Sequence, residues 1–290
     1  MKILVIGKNG QLGKSIYKIV SQSKQVNEFI FVGRTELNLG DENNIKNYFN
    51  SHNFDVIINC AAYTAVDKAE SEANLADKIN HLAVKQLAEI ANKLGTKLIH
   101  ISTDFVFDGN NDKPYIESDY TNPINNYGKT KLKGEAEIIK IMTNNAIIIR
   151  TSWLYSEYGN NFVDAMLKLG TSRDNLKVVS DQIGSPTYAS DLSKAIVDII
   201  YSRKLLNKTF ITQIYHYTNQ GQCSRHEFAK AIFSASDIRC TVSPIPTEEY
   251  PLPAKRPKFT VLNKDKIIKT FNLDIPKWEE SLKQCIELIK

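Results

Sequence analysis

Ile3-Leu4-Val5-Ile6-Gly7-Lys8-Asn9-Gly10-Gln11-Leu12-Gly13 opens the chain with a strand, a turn and the start of a helix. The four apolar residues read as a buried strand, and Leu12, Ile16, Ile19 and Val20 then recur at helical spacing. Gly7 permits a tight turn, Gly10 lets the backbone come close to a pyrophosphate, and Gly13 lets the helix pack closely on the strand. Asn9, Gln11 and Leu12 share that turn, where the helix N-terminus offers free N–H groups and the positive end of its dipole to phosphates. The spacing is G-x-x-G-x-x-G, not the G-x-G-x-x-G of two-domain dehydrogenases. An ordinary glycine turn is the plainer alternative; the strand before it and the helix after it favour a nucleotide site.

The same rhythm continues outward. Phe29–Val32, Asp55–Ala62, Leu98–Ser102 and Ala146–Thr151 read as strands, separated by helical patterns. One of these helices runs from about Ala76 to Leu94, stopped by Gly95. Another runs from Tyr127 to about Met142. Strands alternating with helices predict an α/β fold: a doubly wound, Rossmann-like parallel sheet. After Trp153 the alternation breaks, prolines gather between Ser243 and Pro257, and helical patterns resume at Phe228–Phe233 and Trp278–Ile289. The expected division is a dinucleotide-binding domain over 1–152 and a smaller, mainly substrate-binding α/β lobe over 153–290, with part of 178–215 returning to the first domain.

The 290 residues are 42% hydrophobic and 24% charged, normal for a soluble globular chain. The net charge of +5 is spread along the sequence without a basic block, so no nucleic-acid partner is expected. Cys60, Cys223, Cys240 and Cys285 form no Cys-x-x-Cys pair and keep no ligand spacing with a histidine, which predicts reduced thiols and no metal. Ile3–Ile6 is too short for a signal sequence, and no segment approaches the roughly 20 apolar residues of a membrane span. A cytoplasmic protein with no membrane partner is expected.

Tyr127 and Lys131 stand four apart, on one face of a helix. A free phenol titrates near about 10 and is a poor acid or base at neutral pH, but an adjacent ammonium favours phenolate. Tyr127 and Lys131 therefore read as a general acid/base pair, with Lys131 also placed for a nicotinamide ribose. Ligands in such sheets bind beyond the carboxyl ends of the strands. Asn59-Cys60-Ala61-Ala62-Tyr63, Ser102-Thr103-Asp104-Phe105 and Arg150-Thr151-Ser152-Trp153 end there. A Ser102 or Thr103 hydroxyl is placed to hold a carbonyl oxygen while Tyr127 protonates it; strand-end capping explains those hydroxyls equally simply. Arg34, after the second strand, stands where an acidic residue usually selects NAD, and so favours the 2′-phosphate of NADP; Glu36 and Asp41 lie close enough to keep NAD open. His100, in mid-strand, reads as structural.

Together these residues resemble an extended short-chain dehydrogenase/reductase. Longer stretches narrow the resemblance: Asn59–Glu70, Ser102–Gly109, Tyr127–Lys131, Arg150–Tyr155, Asp181–Thr187, and Arg256-Pro257 with Leu262-Asn263. Over nearly its whole length the chain is similar to the dTDP-4-dehydrorhamnose reductase family. The resemblance implies reduction of the C4 ketone of a nucleotide-linked sugar, dTDP-4-dehydro-L-rhamnose, by NADPH or NADH. It puts Thr103, Tyr127 and Lys131 in the catalytic positions and Thr103, Asp104 and Trp153 against the substrate. Gly10, Gln11, Leu12, Arg34, Asn38, Leu39, Ala61, Ala62 and Tyr63 take cofactor positions, and Asn80 matches an asparagine that supports the active-site helix. Phe105 stands where some members carry tyrosine. Ser15 stands where some carry a glutamate that binds magnesium at a dimer interface, so that metal and that dimer are not expected, and monomer or homodimer stays open. Two alternatives remain: a reductase or epimerase of another nucleotide deoxysugar, and a non-catalytic NADP-binding subunit like the regulatory subunit of methionine adenosyltransferase.

Overall fold

The structure is a computed structural model that describes residues 1–23 and 27–290. Strands β1 (Lys2–Ile6), β2 (Glu28–Val32), β3 (Val56–Asn59), β4 (Lys97–Thr103) and β5 (Ala146–Thr151) pair in parallel, and a sixth strand, Gln213–His216, pairs in parallel with β5. The spatial order is Gln213–His216, β5, β4, β3, β1, β2. The chain leaves β1 toward one side for β2 and then crosses to the other side for β3. Beyond the carboxyl ends of β1 and β3 lies the point where the winding reverses, and there such sheets bind ligands.

The core explains the sequence pattern. A parallel sheet is covered on both faces, so its strands are apolar without alternation. Ile3, Val5, Ile58, Ile99 and Ile149 face helix Gln11–Ser21 and helix Ala189–Tyr201, which contribute Leu12, Ile16, Leu192, Ile196 and Ile199. Leu4, Ile6, Ile57, Leu98 and Ile148 face the other layer, which contributes Ile45, Phe49, Val84, Leu87 and Ile138.

Beyond Trp153 the chain serves two layers. Asn175–Val179 pairs in parallel with Thr241–Ile245, and helices Phe162–Gly170, Arg225–Ser236 and Trp278–Ile289 close a second core around Val163, Phe228, Ile232 and Leu282. Val178 belongs to this second core. The chain re-enters the sheet layer at helix Ala189–Tyr201 and strand Gln213–His216, and again with Ile267 and Leu273. Pro244 lies within Thr241–Ile245, a strand paired on one side only, where a missing N–H is tolerated.

The helix expected from Ala76 begins at Ala73 and passes through a π-helical turn, Lys78–Leu82, before Ala83–Leu94. That wider turn buries Asn80, whose Oδ1 accepts from the Tyr63 N–H (2.8 Å) and whose Nδ2 donates to the Tyr63 carbonyl (3.1 Å) and to Thr130 Oγ1 (3.2 Å). One side chain thus joins the β3 exit to helix Asn126–Ile141. Gly134 of that helix lies so close that a Cβ would run into the Asn80 carbonyl oxygen. Gly134→Ala should therefore lower the unfolding free energy by about 1–3 kcal/mol through overpacking, although alanine favours helix; a denaturation curve checks this, and unchanged or raised stability would contradict the close approach.

Candidate active site

The strand ends and the second lobe enclose a cavity of about 690 Å³. Gly7, Asn9, Gly10, Gln11, Leu12, Gly33 and Arg34 line one end; Thr103, Asp104, Tyr127, Lys131, Trp153 and Arg225 line the other; Ala61 and Ala62 lie on the wall. Gly7 has φ +99°, a left-handed conformation glycine adopts without strain, and its Cα faces the backbone of Ala61. Gly10 caps helix Gln11–Ser21 without any side-chain hydrogen bond, so the N–H groups of the first turn remain available to an anionic ligand. Gly13 packs on Gly7, outside the cavity lining. Gln11 Oε1 accepts from Ser156 Oγ and Asn161 Nδ2, both at 2.9 Å, tying the turn to the segment after β5. The residues present fit a dinucleotide.

Arg34 is exposed at the end of β2 and faces this crevice. The two nearby acids are engaged elsewhere. Glu36 pairs with Lys8 and accepts from the Gly33 N–H (2.9 Å), and these contacts hold its carboxyl down at about 2. Asp41 caps helix Glu42–Ser51 by accepting from the Asn44 N–H (3.1 Å). Asn38, Leu39 and Tyr63 do not line the cavity. Leu39 is buried in the core with Ile45 and Leu87, Asn38 Oδ1 accepts from the Gly40 N–H (3.0 Å), and the Tyr63 hydroxyl donates to Glu72 (2.7 Å).

Thr103 ends β4, and its hydroxyl both accepts from the Phe105 N–H (3.1 Å) and donates to Asp104 Oδ1 (3.0 Å). The hydroxyl that caps the strand end thus belongs to a residue that lines the cavity. Tyr127 opens helix Asn126–Ile141, which Asn125 caps by accepting from the Gly128 N–H (2.8 Å). The ring lies edge-on to Phe105 at 5.8 Å. Lys131 is buried, but its ammonium is aimed at β4: Nζ donates to the Ile101 carbonyl (2.6 Å) and stands 3.2 Å from His100 Nε2. The expected acidification of the phenol by this lysine is not met by the geometry. Burial pushes the Tyr127 phenol up to about 12, with the Thr103 side chain pulling it down and Asp104 pushing it further up. Burial likewise pushes Lys131 down to about 8, against the opposing charges of Glu135 and Cys60.

Below this pair, Glu135 receives Ser102 Oγ and a bidentate Arg150 (3.0 and 2.7 Å), all buried. On the opposite wall Trp153 has φ +48°, a costly conformation for a bulky residue. Its indole packs on Gly184, where a Cβ would overlap the ring. Arg225 stacks its guanidinium over that indole at 3.6 Å and makes no side-chain hydrogen bond among the described residues. The sequence pattern marks neither Arg225 nor Glu135. Arg225 lies more than a hundred residues from the β4 exit, and no local pattern marks it; its position after Ser224, the N-cap of a helix with Glu227 three residues on, reads only as a helix start.

A parallel doubly wound sheet, an uncapped glycine turn and a tyrosine–lysine helix facing one cavity define an oxidoreductase of the short-chain dehydrogenase/reductase class. The family model described as RmlD substrate binding domain matches residues 1–290, and the chain belongs to that family. The dTDP-4-dehydrorhamnose reductase of Sinorhizobium fredii is 40% identical over 292 residues, covering 99% of this chain and 97% of that protein. The crystal structure of a dTDP-4-dehydrorhamnose reductase from Clostridium acetobutylicum superimposes with a TM-score of 0.92 at 41% identity, covering 100% of this chain and 99% of the other. That of Bacillus anthracis, in complex with NADP, gives 0.91 at 36% identity, covering 99% of each. Among the described residues no helix is long and apolar enough to cross a membrane.

Asp104 is buried, with Oδ2 lacking any partner among the described residues, and burial pushes its carboxyl up to about 6 against the pull of Thr260, Thr103 and Arg225. An unfolded aspartate titrates near about 4. The fold thus favours the protonated form: that stability is complete below about pH 4 and is lost as pH rises through about 6. Asp104→Asn removes this dependence. Its melting temperature relative to wild type should climb between about pH 4 and 6 and level off above; calorimetry showing a flat difference would contradict a carboxyl perturbed by burial.

Proposed function

We propose that this protein reduces the C4 ketone of dTDP-4-dehydro-L-rhamnose to dTDP-L-rhamnose, with NADPH preferred over NADH. The observation that carries this reading is the convergence on one cavity of a free helix N-terminus, the buried Thr103 and Lys131 with the half-buried Tyr127, and a guanidinium stacked on Trp153 that has no side-chain hydrogen bond among the described residues. Full-length relatives bearing that reductase name support it. Residues 1–152 supply the dinucleotide contacts: the turn at Gly7, Asn9, Gly10, Gln11 and Leu12 for the pyrophosphate, Arg34 for the 2′-phosphate, and Ala61 and Ala62 as a flat wall. Leu39 and Tyr63 pack in the core cluster behind Ala61, and Asn38, Leu39 and Tyr63 stand outside the cavity lining. The bound dinucleotide supplies the hydride.

The chain's own residues orient the ketone and deliver a proton. Thr103 turns its one O–H from Asp104 to the C4 oxygen and holds that oxygen beside the phenol. Tyr127 gives its phenolic proton to that oxygen as the carbonyl carbon is reduced, leaving an alcohol and a phenolate. A phenol pushed up by burial stays protonated at neutral pH, which suits the donor direction. Lys131, one helical turn on, carries the charge that offsets the phenolate. From the 153–290 lobe, Trp153 packs against the sugar, and Arg225 offers the fork geometry that suits a diphosphate. Asp104, tied to Thr103, borders the sugar with its unpartnered oxygen.

Purified protein mixed with dTDP-4-dehydro-L-rhamnose should oxidise NADPH, and Tyr127→Phe should lower kcat by roughly 10²–10⁴ while NADPH affinity stays unchanged. Tight NADPH binding without turnover in the wild type would favour a non-catalytic binding subunit instead. Arg34→Glu should weaken NADPH by about tenfold, the equivalent of about 1.4 kcal/mol, and leave NADH nearly untouched. Equal losses for the two dinucleotides, measured by fluorescence titration, would contradict the 2′-phosphate assignment.

A further inference from the structure

We infer that His100 is a positioning residue for Lys131, and that the chain Asn59–His100–Lys131 ties the charge of the lysine to the peptide N–H of Ala61 on the cavity wall. The inference rests on the proposed reaction only for the catalytic meaning of Lys131; the chain itself is read from geometry. Asn59 Oδ1 accepts from the Ala61 N–H (3.2 Å), which fixes the amide orientation and turns Nδ2 toward His100 Nδ1 (3.1 Å). The nitrogen that receives an N–H carries no proton of its own, so the ring proton of a neutral His100 sits on Nε2. His100 is fully buried, and burial together with the Lys131 charge holds it well below the usual imidazole range, so the ring is neutral.

Nε2–H then faces Lys131 Nζ at 3.2 Å. A neutral amine accepts that proton with its lone pair while donating to the Ile101 carbonyl (2.6 Å). An ammonium has no lone pair. Once Lys131 is charged, Nε2 must become the acceptor and the ring proton must move to Nδ1. Asn59 must then turn Oδ1 toward Nδ1, which frees the Ala61 N–H to donate into the crevice. Two hydrogen-bond arrangements of one buried chain thus correspond to two charges of one lysine. Charging Lys131 takes up one proton from solvent, while the imidazole changes tautomer and keeps its own proton count.

The groups facing Lys131 are Tyr127 and Glu135 of its own helix, His100 and the Ile101 carbonyl of β4, and Cys60 beyond β3. Glu135 is occupied by Arg150 and Ser102, and the Cys60 thiol is pushed up to about 12 by burial, so His100 is the partner able to change its hydrogen-bonding role. NADPH should therefore bind the ammonium form more tightly, with affinity falling as pH rises through about 8, the range where burial places Lys131.

The direct test needs no substitution. In wild-type protein with 15N-labelled histidine, the His100 nitrogens should exchange tautomer, proton on Nε2 at alkaline pH and on Nδ1 below the Lys131 transition. One tautomer across the whole range would overturn the inference. A second arm measures NADPH affinity against pH. His100→Met should abolish the fall near about pH 8 while His100→Gln restores it, because a carboxamide can donate or accept by turning over. A folded His100→Met with the wild-type profile would equally overturn it. Both readouts are binding or spectroscopic, so they fail independently of whether the protein turns over the proposed sugar.

Discussion

The desolvated polar ladder between β4 and helix Asn126–Ile141 governs where the site can be. Residues two apart on a strand are separated by about 6.6–6.8 Å, and residues four apart on a helix by about 6 Å. His100 and Ser102 therefore meet Lys131 and Glu135 rung for rung. Buried charges are tolerated only with partners in good geometry, and removing one partner costs about 3–5 kcal/mol. Arg150, from the neighbouring strand, satisfies Glu135 with two hydrogen bonds, so a shift of the helix by one residue would orphan a lysine, a carboxylate and a guanidinium together. Tyr127, one turn before Lys131, lines the cavity together with Thr103.

The same constraint explains how the second lobe is held over the crevice. Helix Asn126–Ile141 begins at Asn125, which caps the helix and donates to the Lys255 carbonyl (2.8 Å). One residue further, Arg256 forms a bidentate pair with Asp67 beyond β3 (2.6 and 2.7 Å). Gln11 makes the corresponding link from the glycine turn. Polar contacts from both lobes thus fix the wall that carries Trp153 and Arg225, and the left-handed backbone at Trp153 persists because Gly184 leaves room for the indole.

How much of this is readable in the sequence depends on range. The glycine turn and the parallel sheet are readable, because strand, turn and helix are contiguous and strands covered on both faces are apolar throughout. Thr103, Tyr127 and Lys131 are readable as residue types at strand ends and helical spacing. Their mutual geometry is not. Lys131 aims at β4 because His100 sits there, and a polar residue in a buried strand reads as structural until its helical neighbour is known. The π-helical turn that buries Asn80 leaves no mark in a pattern of period 3.6. Leu39 and Tyr63 match cofactor positions by motif, yet one side chain serves the core and the other a carboxylate. Arg225 and strand Gln213–His216 reach their places through long crossovers, and no local pattern encodes those.

The position of the Tyr127 hydroxyl relative to a docked ketone tests the central claim most directly. A crystal structure of the protein with NADP⁺ and dTDP-L-rhamnose should place the Tyr127 oxygen about 3 Å from the C4 oxygen of the sugar, with Thr103 within hydrogen-bond reach of the same atom. A complex with both ligands bound in the crevice, the C4 oxygen facing another group and the phenol turned away, would contradict it.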